Sequence, residues 1–339
     1  MIKNIHSPDL FRRNSSDYEG RKLDEASAKS ERKKENIQEI KTPGLRWVNL
    51  FNNTFKEIDY LRNNFRFHPL DLNDCLPPTK RSKLDEYEDY FFIVLTFPFF
   101  ERQNREILPA EVDFFIGPDY LITVNDGQIP VLNKFFEECL ASDTLRQKYL
   151  HHSPSFLFSE IVNKLQIHLY PILDHLNEDI ENAKKKIFAG HEKNMVQEIL
   201  LIKRNIISFR KVIQSHKNVI KKLVAKNEKF FIPSTVHIYL NNNLEQTKDL
   251  WDMLEGLNEY INALHSTNES LISFKLNDIM RILTIVSVTL FSLTLIAAMF
   301  GMDAKLPIVS HPYGFWIILG LMALTAIGII NYFKRKNWL

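Results

Sequence analysis

Apolar residues follow three different patterns along this chain. From residue 1 to about 42, Lys, Arg, Glu, Asp and Ser are mixed with few large apolar groups. Such a stretch buries too little surface to offset the entropy of ordering, so residues 1–44 are expected to form a flexible charged tail. From Leu45 the pattern turns strand-like, with Leu45–Leu50, the run Tyr90–Phe100 (YFFIVLTFPFF) closed by Pro98, and Glu111–Ile116 and Tyr120–Asn125 around a Gly117-Pro118-Asp119 turn. Helical patterns at Thr54–Asn64, Pro69–Cys75 and Ile129–Leu140 interleave with these strands. Residues 45–152 therefore read as an α+β unit.

After Pro154 the helical period takes over. Phe156–Phe188 carries Ile161, Leu165, Leu169, Ile172, Leu176 and Ile180 at helical spacing and ends at Ala189-Gly190. A second helix is expected over Lys193–Asn227, antiparallel to the first. Acids in the first (Asp174, Glu178, Asp179, Glu181) are expected to face bases in the second (Lys203, Arg204, Arg210, Lys211) or water. Pro233-Ser234 marks the next start. From there to Met299 there is no proline and only one glycine, Gly256, while Leu250, Leu254, Leu257, Ile261, Leu264 and Leu271 form a coiled-coil-like stripe. Roughly 65 helical residues extend about 100 Å. A rod of that length, a helical domain and stalk over 153–281, needs neighbours and points to an oligomer.

Two uncharged runs follow. Ile282–Met302 has no Asp, Glu, Lys or Arg before Asp303, and Gly314–Phe333 follows a short loop, 304–313. At about 20 residues each is long enough to cross a hydrocarbon core of about 30 Å. Within the first span, steps of three and four residues place Asn277, Met280, Thr284, Ser287, Phe291, Thr294, Ala298 and Gly301 on one helix face. Ile285, Val288, Leu290, Leu293 and Leu295 make the rest greasy. A hydroxylated stripe in a membrane faces either another helix or water. Arg281 flanks one end of the hairpin and Lys334, Arg335 and Lys336 the other, in the basic tail 334–339, whereas Lys305 is the one fixed positive charge between. The positive-inside rule puts both ends of the hairpin in the cytoplasm and the Asp303 loop outside.

Composition adds mainly exclusions. The chain has 339 residues and a formal charge of +2, so more than one structural unit is expected and nothing favours nucleic acid. Cys75 and Cys139 lack metal-site spacing, and residues 1–42 lack the apolar core of a signal peptide. No nucleotide loop, nucleophile elbow or zinc-helix motif occurs, so no enzyme and no cofactor is expected. His151 and His152 read as a surface pair. Asp85, Glu86, Glu88 and Asp89 read as a solvated acidic turn.

The order Asn277, Met280-Arg281-Ile282-Leu283-Thr284, Gly301-Met302-Asp303, then a second span and Tyr332-Phe333-Lys334-Arg335-Lys336-Asn337-Trp338-Leu339, resembles the CorA family of magnesium channels. VDFFIGPDYLITVN extends the likeness to the cytosolic domain, and it covers the chain from about Leu45 onward. The resemblance implies a funnel-shaped homopentamer in the inner membrane, with divalent cations, lipid and further copies of itself as partners. It implies a pore lined by the first membrane helix: polar rings at Asn277, Thr284, Ser287 and Thr294, apolar gates at Met280, Leu283 and Phe291, and an outer entrance at Gly301-Met302-Asp303. Mg²⁺ keeps its water tightly and prefers oxygen ligands, which suits hydroxyl and amide rings.

Two departures stand out: Asp303 where the family signature ends in asparagine, and Ser292 where many relatives carry proline. Five aspartates would attract cations more strongly while raising one another's proton affinity. The loop from Ala304 to Pro312 lacks the acids of many magnesium-selective members and has Lys305 and His311 instead. Co²⁺, Ni²⁺ or Zn²⁺ therefore stay open as cargo, and zinc-transporting relatives and a poorly conducting sensor or scaffold are the alternatives. In the family, intracellular magnesium favours closure through acids between subunits. Asn242 stands where such an acid is expected, which implies weakened feedback.

Overall fold

The computed structural model describes residues 36–78, 80–225, 233–302, 313–336 and 338. Asp303, Lys305, His311 and most of the expected tail lie outside the described residues.

A six-stranded sheet carries the N-terminal unit. Its strands are β1 (Ile37–Lys41), β2 (Arg46–Phe51), β3 (Lys83–Glu86), β4 (Phe91–Glu101), β5 (Glu106–Ile116) and β6 (Tyr120–Asn125), in the spatial order β1-β2-β6-β5-β4-β3. Only β2 and β6 run parallel. The predicted hairpin is β5–β6, and it needs Gly117, where an added Cβ would fall 2.3 Å from the Tyr120 ring.

Two expectations about this unit fail. The tail does not extend to residue 44: Ile37–Lys41 pairs along β2, Ile40 is buried, and the Thr42 hydroxyl donates to the carbonyl oxygens of Leu45 and Leu150. One buried isoleucine and a free strand edge outweigh the charge around them. Nor does Pro98 close its strand, because β4 runs on to Glu101 with Pro98 directly opposite Pro109 on β5. Facing residues of an antiparallel pair either exchange two bonds or none. Two opposed prolines occupy a position of the second kind, where neither missing N–H is needed.

Both faces of the sheet are covered. On one side α1 (Phe55–Asn64) and α2 (Pro69–Asp74) pack over Val48, Leu50, Phe92, Val94, Phe115 and Ile122. On the other, α3 (Pro130–Ala141), α4 (Asp143–Leu150) and α5 (Pro154–Ile167) close over Trp47, Phe91, Ile93, Leu95 and Phe114. Serine caps start two of these: Ser142 Oγ accepts from Leu145 N and Ser153 Oγ from Phe156 N, the second with proline next in line. Both cysteines are buried free thiols, whereas His151 and His152 are exposed.

The helix predicted over Phe156–Phe188 is two helices. α5 stops at Ile167 and α6 (Tyr170–Phe188) restarts with Pro171 in its first turn, since a proline cannot donate to the carbonyl four residues back. α7 (Glu192–Val224) returns antiparallel beyond Gly190, whose φ of +95° suits a residue without a side chain. Of the two outcomes expected for the acids of α6 and the bases of α7, exposure to water holds for Asp174, Glu178 and Lys211, while others find partners elsewhere. Arg204 pairs with Glu106 on β5, and Glu181 takes the Lys184 ammonium and the Tyr260 hydroxyl.

After a short turn at Ser234–Val236, α8 runs unbroken for 65 residues, His237–Gly301. Its first half packs Leu240, Leu250, Leu254, Ile261 and Leu264 against α5, α6 and α7. Full burial of one such leucine stabilises by about 1.5–3 kcal/mol, so the stripe fixes this half of the rod firmly. Arg210 of α7 pairs with Glu255 and lies over the Trp251 ring. α9 (Gly314–Arg335) is the last helix, folded back along the end of α8.

Candidate functional site

Past Lys275, which still reaches Glu192 of α7, the rod leaves the helical domain and α9 packs along it. At about 100° per residue, Ile285, Thr289, Ser292, Ile296 and Phe300 share a face. All five lose exposure, Ile285 most, at 7%. α9 covers that side. The stripe Asn277, Met280, Thr284, Phe291, Thr294 and Gly301 lies opposite and is exposed throughout, with Ser287 half-buried among them. Met280, Leu283 and Phe291 are the bulky apolar members, Phe291 at 75% exposure. The two readings of the stripe thus separate: it does not pack against the second membrane helix of its own chain.

The hydroxyl geometry gives this face its chemistry. Thr284 Oγ1 donates to the Met280 carbonyl at 2.8 Å, and Thr294 Oγ1 donates to the Leu290 carbonyl at 2.8 Å. With each proton turned back along the helix, the oxygen lone pairs point outward as acceptors. Such a surface accepts hydrogen bonds from the water shell of a hydrated cation. Thr289 and Ser292 bond back in the same way on the α9 side.

At the two ends the stripe meets polar groups. Asn277 and Asp278 are exposed, and Asp278 lies 3.4 Å from the Arg281 guanidinium. At the far end Gly301 closes the helix and Met302 turns extended. The third signature position, Asp303, is outside the described residues. At the end of α9, Trp338 stacks on Phe333 with ring centres 5.5 Å apart, and Lys336 sits over the Tyr332 ring.

A second set of residues escaped the sequence reading. Asn243 Nδ2 donates to the Ser159 carbonyl, and Gln166 Nε2 donates to the Asn243 carbonyl and to Thr247 Oγ1 at 2.8 Å, all of them buried. Near the other end of the helical domain, Asn268 Nδ2 donates to the Glu192 carbonyl and Lys275 Nζ lies 2.7 Å from the Glu192 carboxylate. The signal was there: Asn243 and Thr247 continue the 3–4 spacing of Leu250 and Leu254. These bonds fix the rotation of the rod about its own axis. Among the described residues no three His, Cys, Asp or Glu side chains gather as a metal group.

The CorA-like Mg2+ transporter protein family matches residues 43–335. The chain belongs to this family. It is a divalent metal-ion transporter of the membrane, with two C-terminal transmembrane helices in α8 and α9. The cobalt/magnesium transport protein CorA of Methanocaldococcus jannaschii is 24% identical over 86% of this chain and 91% of its own. The protein of the same name from Thermotoga maritima is 25% identical over 81% of this chain and 78% of its own. In fold, the complete CorA magnesium transporter structure from M. jannaschii superposes with a TM-score of 0.78 at 22% identity, covering 89% of this chain and 94% of that one. A mixed α/β domain, a long helix and two apolar C-terminal helices are thus the CorA architecture.

Proposed function

We propose that this CorA protein is a homopentameric channel that moves Mg²⁺, with Co²⁺ and Ni²⁺ as further cargo, through a pore lined by the outward stripe of α8. The observation that carries this reading is the exposure of Thr284, Phe291 and Thr294 on the side of α8 that α9 leaves open. One copy of that face encloses nothing; closed rotational symmetry turns each residue into a ring. Asn277, Thr284, Ser287 and Thr294 supply oxygens for a hydrated ion, while Met280, Leu283 and Phe291 form constrictions that close by dewetting. Gly301-Met302-Asp303 stands at the outer entrance, and both termini lie in the cytoplasm, as the Lys334-Arg335-Lys336 cluster favours.

Two relatives named for cobalt and magnesium support that choice of ions. Asn242 is exposed on α8 where the family resemblance implies an acid, so closure by cytosolic magnesium is weak in this chain and strengthens in Asn242→Asp. The primary test is flux into vesicles containing the pure protein, each of Mg²⁺, Co²⁺, Ni²⁺ and Zn²⁺ offered alone. Mg²⁺ influx that Thr284→Val slows is the expected result. Zinc flux alone would point to a zinc carrier, and no flux to a sensor or scaffold.

A further inference from the structure

We propose that the turn between α6 and α7 is a membrane-surface contact, with Lys185, Phe188 and Lys193 docking onto anionic lipid headgroups of the leaflet that α8 enters. The turn lies at the membrane-proximal end of the helical domain. Glu192 is held between Asn268 and Lys275 of α8, and a Cβ on Gly190 would lie 3.9 Å from Lys275 Nζ. From the level of Lys275 to Ile282, where the uncharged run begins, is seven residues of helix, or about 10 Å. The headgroup layer occupies about 5–7 Å of that interval. The remaining gap is shorter than the Debye length of about 8 Å at physiological salt.

The chemistry of the turn fits a lipid surface. Phe188 is 65% exposed at the tip, although Ile187 beside it is fully buried. Lys185 stands one turn before Phe188 on the same face of α6, and Lys193 follows in the first turn of α7; both are exposed. The one acid of the tip, Glu192, is neutralised by Lys275. Lys184 belongs to a separate group with Glu181 and Tyr260. An aromatic ring between lysines is the side-chain set that seats at a headgroup boundary. An exposed phenylalanine alone would mean little; its height above the span and the flanking charge give it a partner.

The test places a fluorophore on Phe188→Cys in the full-length protein, the buried Cys75 and Cys139 being left in place. The protein is put into nanodiscs of phosphatidylcholine alone or enriched in phosphatidylglycerol, each with nitroxide-labelled headgroups. Strong quenching in the anionic discs, weak quenching in the neutral ones, and little in either for a label on Leu200→Cys, about 12 Å up α7 from Glu192, is the expected result. Two lysines at ~1 kcal/mol each contribute roughly 30-fold to the association, so Lys185→Glu with Lys193→Glu should remove most of the quenching. Equal quenching in both lipids would overturn the proposal. So would a label already shielded in detergent, which would mean a second copy covers the tip, or an emission shift in neutral discs on adding soluble glycerol phosphate, which would mean a free-anion site.

Discussion

The Thr284 hydroxyl donates to the carbonyl oxygen of Met280, 2.8 Å away on the same helix, and turns its lone pairs away from α9. Thr284→Val keeps the shape and removes the acceptor from every copy at once. In the proposed pore, vesicle Mg²⁺ influx is expected to fall on the order of tenfold, because a hydrated ion passing this level loses one or two hydrogen bonds of about 1 kcal/mol each. Thr284→Ser should retain most of the flux. Unchanged influx in the valine variant would remove Thr284 from the pathway.

By the family resemblance read from the sequence, Asp303 stands where the signature ends in asparagine. In the proposed pore, Asp303→Asn takes like charges away from the outer entrance, and divalent ions should then be held less tightly and released faster. The measurement is the concentration of Mg²⁺, Co²⁺ and Ni²⁺ giving half-maximal influx. All three values are expected to rise, and their ranking to change. Identical uptake and ranking in both proteins would deny the position a special role.

His216 gives the fold a pH dependence of definite sign. Its Nε2–H donates to the Thr96 carbonyl oxygen, its ring meets Phe97 edge-on at 4.7 Å, and burial lowers its pKa to about 4. An unfolded chain takes up that proton near pH 6.5 and the folded one does not. Stability is therefore lost as pH falls from about 6.5 towards about 4, by ~3 kcal/mol over the window. Thermal melting of the protein in detergent should show this loss, and His216→Gln should flatten it.

Asp113 has the opposite dependence. Its carboxylate is fully buried beside Glu111 and Cys75, and burial, with the Glu111 charge next, pushes its pKa well above the carboxylate range. The folded state holds this proton above the pH at which the unfolded chain has released it, so stability is lost as pH rises from about 4. Asp113→Asn should raise the melting temperature at neutral pH, by the equivalent of about 1–3 kcal/mol. The gain should grow with alkalinity; a variant less stable than the parent at every pH would refute this account.

The parts of the architecture legible in the sequence were those that repeat. The stripe through Leu250, Leu254, Ile261 and Leu264, the uncharged spans and the Thr284–Thr294 face are periodic signals, and the helix places them where that period requires. What stayed hidden depends on distant partners. β1 exists because β2 offers it an edge, and Arg204 finds Glu106 nearly a hundred residues away rather than the acids of α6. Pro98 continues a strand because Pro109 stands across from it, a fact no local window contains. At the candidate site, periodicity defined the polar face, but only the position of α9 decided which side of the rod remained open.

Because α8 is unbroken from His237 to Gly301, the buried amides at its top and the hydroxyls at its far end belong to one shaft. Asn243 and Thr247 clamp that shaft at an angle, and Thr284, about 60 Å further on, inherits the angle. A residue inserted near Phe274 would leave both ends folded while turning the lower end by about 100°. In the proposed pore, the polar face would swing away from the axis. Seven inserted residues would come back within about 20° of the starting direction. Transport should therefore fail and recover with the phase of the insertion, and not with its length.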